Sequence, residues 1–160
     1  MVARDDAEYV EFVAAVQDGL RRTAYLLTGD WGLAADATQE ALIKLYVAWP
    51  RLERGVGLAA YTRRAVVTLT IGRQRRQPRP QVAPGKPTLT VALRTLPPQQ
   101  RGCVVLRCFE ELTVAETADA LRCTEGQVTG RTARGIGALR RELARLGLPS
   151  MAAAAMEGVA

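Results

Sequence analysis

Apolar residues recur at helical spacing along most of the chain. Between residues 5 and 28, Tyr9, Phe12, Val13, Val16, Leu20, Ala24 and Leu27 predict one amphipathic helix. Asp5 or Asp6 can cap its start, and Thr28-Gly29-Asp30 ends it and caps the next. Residues 31–49 repeat the pattern through Leu33, Ala37, Ala41, Leu42, Leu45, Tyr46 and Trp49, and Pro50 stops it. Arg51 to Gly57 reads as a link. A third helix is expected from about Leu58 to Gln77, with Ala59, Thr62, Val66, Leu69 and the stem of Arg73 facing inward. The period then breaks. Pro78, Pro80, Pro84 and Pro87 alternate with Gln, Val, Gly and Lys, the composition of an extended, semi-stiff linker.

The period returns in the second half. Val91 to Leu96 opens it. Pro98 suits a first helical position, and the helix it starts carries Cys103, Val104, Leu106, Arg107 and Phe109, ending near Glu110-Glu111-Leu112. Two helix starts follow closely: Thr113 with Glu116, and Thr124 with Gln127, each a capping box. The short helix between them has Val114, Ala118 and Leu121 on its apolar side. The break at Arg122-Cys123 is too short for anything but a sharp turn, so the pair predicts a helix-turn-helix. In its second helix Val128, Thr132, Ile136, Leu139, Leu143 and Leu146 share one face, and Arg131, Arg134, Arg141 and Arg145 another. Such a helix can bury one side and offer cations to phosphate on the other. The same pattern also fits a solvated amphipathic helix in a helical hairpin. Gly130, Gly135 and Gly137 work against the helix, each by up to ~1 kcal/mol relative to Ala. The expected fold is all-α: helical domains at 5–77 and 91–147, a Pro-rich linker at 78–90 and a frayed tail at 148–160.

Composition narrows the function. Apolar residues make up 48% of 160 and aromatics only 5%, so a packed core must be built from Leu, Val and Ala. A net charge of +6 points to an anionic partner. Arg73, Arg75, Arg76 and Arg79 form a basic run with no acid among them, a phosphate footprint that also suits the dipole of a helix C-terminus. Asp36, Gln39 and Glu40 lie one turn apart on a polar face, which by itself reads as a solvated helix side.

There is no His, so the commonest general base and metal ligand is missing. Cys103, Cys108 and Cys123 include no tight pair, which fits buried thiols in a reducing compartment; a zinc site lacks its fourth ligand. No phosphate-binding Gly-Lys loop or nucleophile elbow is present, and Gly135-Ile136-Gly137 sits inside a predicted helix with no strand before it. The expectation is a non-enzymatic protein with no metal and no cofactor. Met1 to Asp6 is polar and acidic, unlike a signal peptide. No apolar run nears the ~18–20 residues of a membrane span. A cytoplasmic protein, associated with the nucleoid, is expected.

Five runs now align with a known family: Arg22-Thr23-Ala24-Tyr25-Leu26-Leu27-Thr28-Gly29-Asp30; Asp36-Ala37-Thr38-Gln39-Glu40-Ala41-Leu42; Ala60-Tyr61-Thr62-Arg63-Arg64; Leu96-Pro97-Pro98-Gln99-Gln100-Arg101; and Glu111 to Ala118. In their order and spacing, over residues 8 to 146, the chain resembles the extracytoplasmic-function (ECF) sigma factors of the primary-sigma family, most of all the actinobacterial SigE-like group. The resemblance implies a dissociable, non-catalytic subunit that directs RNA polymerase to promoters. The first domain would correspond to sigma region 2 and the second to region 4. Its implied partners are core RNA polymerase (β and β′ subunits) and promoter DNA, with an anti-sigma protein as a further candidate. Asp36, Gln39 and Glu40 would then dock on the polymerase clamp helices. Tyr61, Arg64, Thr68, Arg73, Arg75 and Arg76 would meet the −10 element, and Gln127, Thr129, Arg131 and Arg134 the −35 element in the major groove.

The chain departs from that family in two places. It has Thr68, Arg73 and Gln74 where Asn and two aromatics are common, and Thr129-Gly130 where Lys-Ser is common. The melting surface is thus poor in the aromatics that capture unstacked bases. Two other readings therefore stay open: a sigma-like DNA-binding regulator that no longer melts promoters, and an interaction protein that sequesters polymerase or an anti-sigma surface.

Overall fold

The computed structural model describes residues 2–76 and 88–148. Helix α1 (Val2–Thr28) and helix α2 (Trp31–Ala48) are joined by a tight corner. Gly29 takes the left-handed conformation (φ 71°) and its N–H returns to the Tyr25 carbonyl at 2.7 Å. Asp30 then caps α2, its carboxylate accepting from the N–H groups of Gly32 (2.7 Å) and Leu33 (3.1 Å). A 3₁₀ turn (Trp49–Arg51) follows, because Pro50 cannot continue an α-helix. Helix α3 (Val56–Arg76) completes the first unit. Its outer end is pinned by Trp49, whose indole N–H donates to the Asp5 carbonyl at 3.0 Å while the Arg54 guanidinium lies 4.2 Å from its ring centre.

The second unit begins at Thr88, which caps helix α4 (Leu89–Arg94), so α4 starts inside the stretch expected to be linker. Helix α5 (Pro98–Val104) starts at Pro98 as expected and runs into one π-helical turn (Val105–Phe109). Helices α6 (Val114–Leu121) and α7 (Glu125–Arg145) form the helix-turn-helix. Among the described residues all regular structure is helical.

Three expectations need correction. Tyr46 is half exposed rather than buried, because Leu45 takes the inward position on α2. Ala59 is exposed; α3 buries Thr62 and Val66 as expected but shifts its inner face to add Val67, Thr70 and Ile71. Of the thiols, only Cys103 is buried; Cys108 and Cys123 are half-buried. The physical reason for the α3 shift is docking. Val67 and Ile71, with Leu26 and Leu27 of α1, belong to one buried cluster with Leu89, Leu93, Leu96, Val104, Leu106 and Leu121 of the second unit. The side chains of Arg73, Arg75 and Arg76, most of the 78–90 linker and the tail from 149 onward lie outside the described residues.

Candidate nucleic-acid interface

The helix-turn-helix is closed by local hydrogen bonds the sequence specifies. The Thr113 hydroxyl accepts from the Glu116 N–H at 3.1 Å, and the Glu116 carboxylate accepts from the Thr113 N–H at 2.8 Å. That backbone donor holds the Glu116 carboxyl below its ordinary value, helped by the Thr113 side chain. Thr124 and Gln127 repeat the arrangement at 3.1 and 3.0 Å. Between the two helices Arg122 adopts the left-handed conformation (φ 53°), and the Cys123 N–H bonds the Ala118 carbonyl at 3.0 Å. This is the helix stop that Gly normally provides.

Helix α7 is anchored on one face by Val128, Gly135, Leu139 and Leu143. Of the proposed −35 residues, Gln127, Thr129 and Arg134 lie away from that face and Arg131 lies at its edge. The Gln127 side chain is exposed; its oxygen serves the cap, and its NH₂ group is the part suited to a base-edge acceptor. Thr129 is exposed, with its hydroxyl donating to the Glu125 carbonyl at 3.1 Å. Arg134 is exposed and folds over Gly130, where an added Cβ would lie 3.3 Å from its Nη1. Arg131 is half-buried, with its guanidinium donating to Gln99 at 3.4 Å. The same arginine sits near Cys103, whose thiol burial pushes up to about 11; Cys123 adds to that shift and Arg131 opposes it.

Of the proposed −10 residues, Tyr61 and Arg64 are half-buried and Thr68 is exposed, all on α3. Arg64 is paired with Asp119 of α6 at 3.2 Å. Lys44, Tyr61, Arg64, Thr68 and Arg122 line a cleft of about 200 Å³ that spans both units. Thr68 and Arg64 are therefore brought beside the helix-turn-helix rather than displayed apart from it.

On α2, Asp36 and Gln39 are exposed and Glu40 is paired with Lys44 at 3.7 Å. At ~100° per residue, Asp36, Glu40, Ile43 and Val47 fall within about 60° of one another. Ile43 and Val47 are 59% and 67% exposed. Half of this outward face is thus apolar, which sequence reading missed. No signal in the sequence separated Ile43 and Val47 from core positions, since both are apolar like their neighbours Leu42 and Leu45.

None of the described helices is long and apolar enough to cross a membrane, and no group of His, Cys, Asp or Glu among the described residues could hold a metal ion. A helix-turn-helix with cationic flanks, docked on a three-helix unit, defines a DNA-directed binding protein. Comparison with known proteins gives the family. The sigma-70 region 2 family matches residues 12–79, and sigma-70 region 4 matches residues 92–141. The chain is 32% identical to the RNA polymerase sigma-E factor of Streptomyces coelicolor, covering 85% of this chain and 86% of that one. It is 30% identical to the sigma-E factor of Streptomyces avermitilis, covering 85% of each. The fold is shared with the sigma factor RpoE of Bartonella quintana, solved with the anti-sigma factor NepR. That match has a TM-score of 0.72 at 19% identity, covering 86% of this chain and 97% of that one. The chain belongs to the sigma-70 family of transcription initiation factors, whose members are not enzymes.

Proposed function

We propose that this chain is an ECF-type sigma factor that binds core RNA polymerase and brings it to promoters carrying −10 and −35 elements. The observation that carries the reading is the pair of formed capping boxes that build a helix-turn-helix within the region 4 match. Residues 5–77 act as the −10 and polymerase-binding unit, 78–90 as the strap, 91–147 as the −35 unit and 148–160 as a tail. Asp36, Gln39 and Glu40, extended by Ile43 and Val47, form the polymerase face. Tyr61, Arg64, Thr68, Arg73, Arg75 and Arg76 hold the −10 region. Gln127, Thr129, Arg131 and Arg134 read or position the −35 duplex, arginine contacts to phosphate setting register and base-edge contacts setting sequence. The place of action is the cytoplasm, at the nucleoid, and an anti-sigma protein is the further partner class.

Run-off transcription with core polymerase tests the reading. Initiation on a duplex promoter that depends on the added chain is the expected result; no initiation on any template would contradict it. Exposed Thr68, in place of the Asn common in the family, favours a second reading, in which the chain positions polymerase but melts DNA poorly. Initiation confined to promoters opened beforehand would select it.

A further inference from the structure

Two clefts meet between α3 and the helix-turn-helix, and Arg64 and Arg122 line both of them. The larger, about 460 Å³, is completed by Ala118, Asp119, Cys123, Thr124 and Gln127. The smaller, about 200 Å³, is completed by Lys44, Tyr61, Ala65, Thr68 and Leu69. Their lining is cationic: Lys44, Arg64 and Arg122 face the single carboxylate of Asp119. Arg122 is exposed and pairs with no acid among the described residues. Arg64 meets Asp119 at 3.2 Å, but that carboxylate is 61% exposed, so water takes it over at little cost when another anion claims the guanidinium. Neutral donors are also spare. The Thr124 hydroxyl accepts from the Gln127 N–H and keeps its own hydrogen to give, and the Gln127 oxygen serves the cap while its NH₂ group does not. The other end is less polar, with the half-buried Tyr61 sharing the smaller cleft with Ala65 and Leu69.

We propose that the joined clefts bind a free nucleotide carrying two or more phosphates. The phosphates sit between Arg64 and Arg122, each guanidinium offering a fork of N–H donors, with Lys44 as a third charge. Thr124 and Gln127 donate to the oxygens that remain. The base lies against Tyr61, Ala65 and Leu69, where an aromatic ring and apolar side chains suit a flat ring of any sequence. Both clefts together have the size of a small-molecule site, about 300–1,000 Å³. A DNA backbone offers the same phosphate chemistry, but the bases of a duplex are paired and stacked, so only a free nucleotide fills both ends. Lys44, Tyr61 and Arg64 come from the first unit and Arg122, Thr124 and Gln127 from the second, so neither unit alone completes the site.

Cys123 lines the larger cleft and Cys108 lines neither, so the two thiols report occupancy within one chain. The full-length protein is titrated with ATP and with GTP by calorimetry, then labelled with the neutral reagent iodoacetamide and read by peptide mass spectrometry. At roughly ten times its dissociation constant, the bound nucleotide should slow labelling of Cys123 about tenfold, as the empty fraction falls, and leave Cys108 unchanged. Arg122→Asn keeps the left-handed turn and removes a charged donor; it should weaken binding about tenfold or more. Arg141→Ala removes the same charge from an exposed position outside the clefts and should change affinity less than about twofold. Tyr61→Leu should weaken nucleotide binding about tenfold and leave inorganic pyrophosphate binding unchanged. Binding of neither nucleotide, or binding that leaves Cys123 as reactive as before, overturns the site. Equal losses in Arg122→Asn and Arg141→Ala would show general attraction to a basic chain and overturn it as well. Pyrophosphate binding as tightly as ATP and GTP overturns the assignment to a nucleotide, and this comparison on the wild-type chain decides if Tyr61→Leu fails to fold. No arm contains DNA, so failure here leaves the sigma-factor reading standing.

Discussion

Gly135 and Gly137 lie two residues apart in α7, and replacing each by Ala separates helix propensity from packing. Either substitution gains up to ~1 kcal/mol of helix propensity. At Gly137 the added Cβ meets nothing closer than Nη1 of Arg141 at 3.8 Å, so the gain is realised in full. Gly137→Ala should stabilise the chain by ~0.5–1 kcal/mol. At Gly135 the Cβ would lie 2.5 Å from Cγ2 of Val104 and 3.4 Å from the Gln100 carbonyl oxygen. Val104 is fully buried in the central cluster and cannot swing aside, so α5 and α7 must separate. Overpacking of this kind costs ~1–3 kcal/mol, which outweighs the propensity gain. Gly135→Ala should therefore destabilise by up to ~2 kcal/mol, and since the propensity gain is common to both, the two variants should stand ~1–3 kcal/mol apart. Urea unfolding followed by circular dichroism reads this difference as a shift in midpoint at constant slope. Equal stabilisation by both substitutions would refute the claim that close α5–α7 packing requires a glycine.

Arg101→Met should cost at least ~3 kcal/mol in the same assay, since it strips a charged donor from the carbonyls of Leu27, Leu93, Arg94 and Leu96; a loss below ~1 kcal/mol would show that those carbonyls find water instead. Arg134→Ala should lower the salt dependence of promoter binding by about one phosphate contact. Arg131→Ala should cost ~1–3 kcal/mol of promoter affinity if it reads a base, and an unchanged affinity removes it from the site. The Cys103 thiol, at about 11 against an ordinary 9.0, stays neutral in the fold while the unfolded chain ionises. Its contribution to stability is therefore complete below pH 9, falls as pH rises, and is lost by about pH 11. Cys103→Ala should flatten that decline in unfolding midpoint, and an equally steep decline in the variant would assign it to other groups.

Local signals made much of this fold legible in the sequence. The two capping boxes need only residues three apart, and both form as Thr113 with Glu116 and Thr124 with Gln127 predict. The inner face of α7 follows the period of Val128, Leu139 and Leu143. What the sequence hid is long-range. Val67 and Ile71 become core only because a second unit docks on α3. Arg101 is buried only because carbonyls from α1 and from the α4–α5 stretch converge on it. Ile43 and Val47 look like core residues in any window, and only the packing of Leu45 against the first unit shows that they point outward. Of the candidate site, the outward placement of Gln127, Thr129 and Arg134 on α7 was legible, because helix period and cap fix it. The pairing of Arg64 with Asp119 spans 55 residues of chain and was not.

The most direct measurement is the mapping of transcript start sites made in vitro by core polymerase on fragmented genomic DNA, with and without the added chain. The account predicts discrete starts that appear only when the chain is present and share a pair of upstream elements. Starts unchanged by the chain, or new starts with no shared upstream pair, would contradict it.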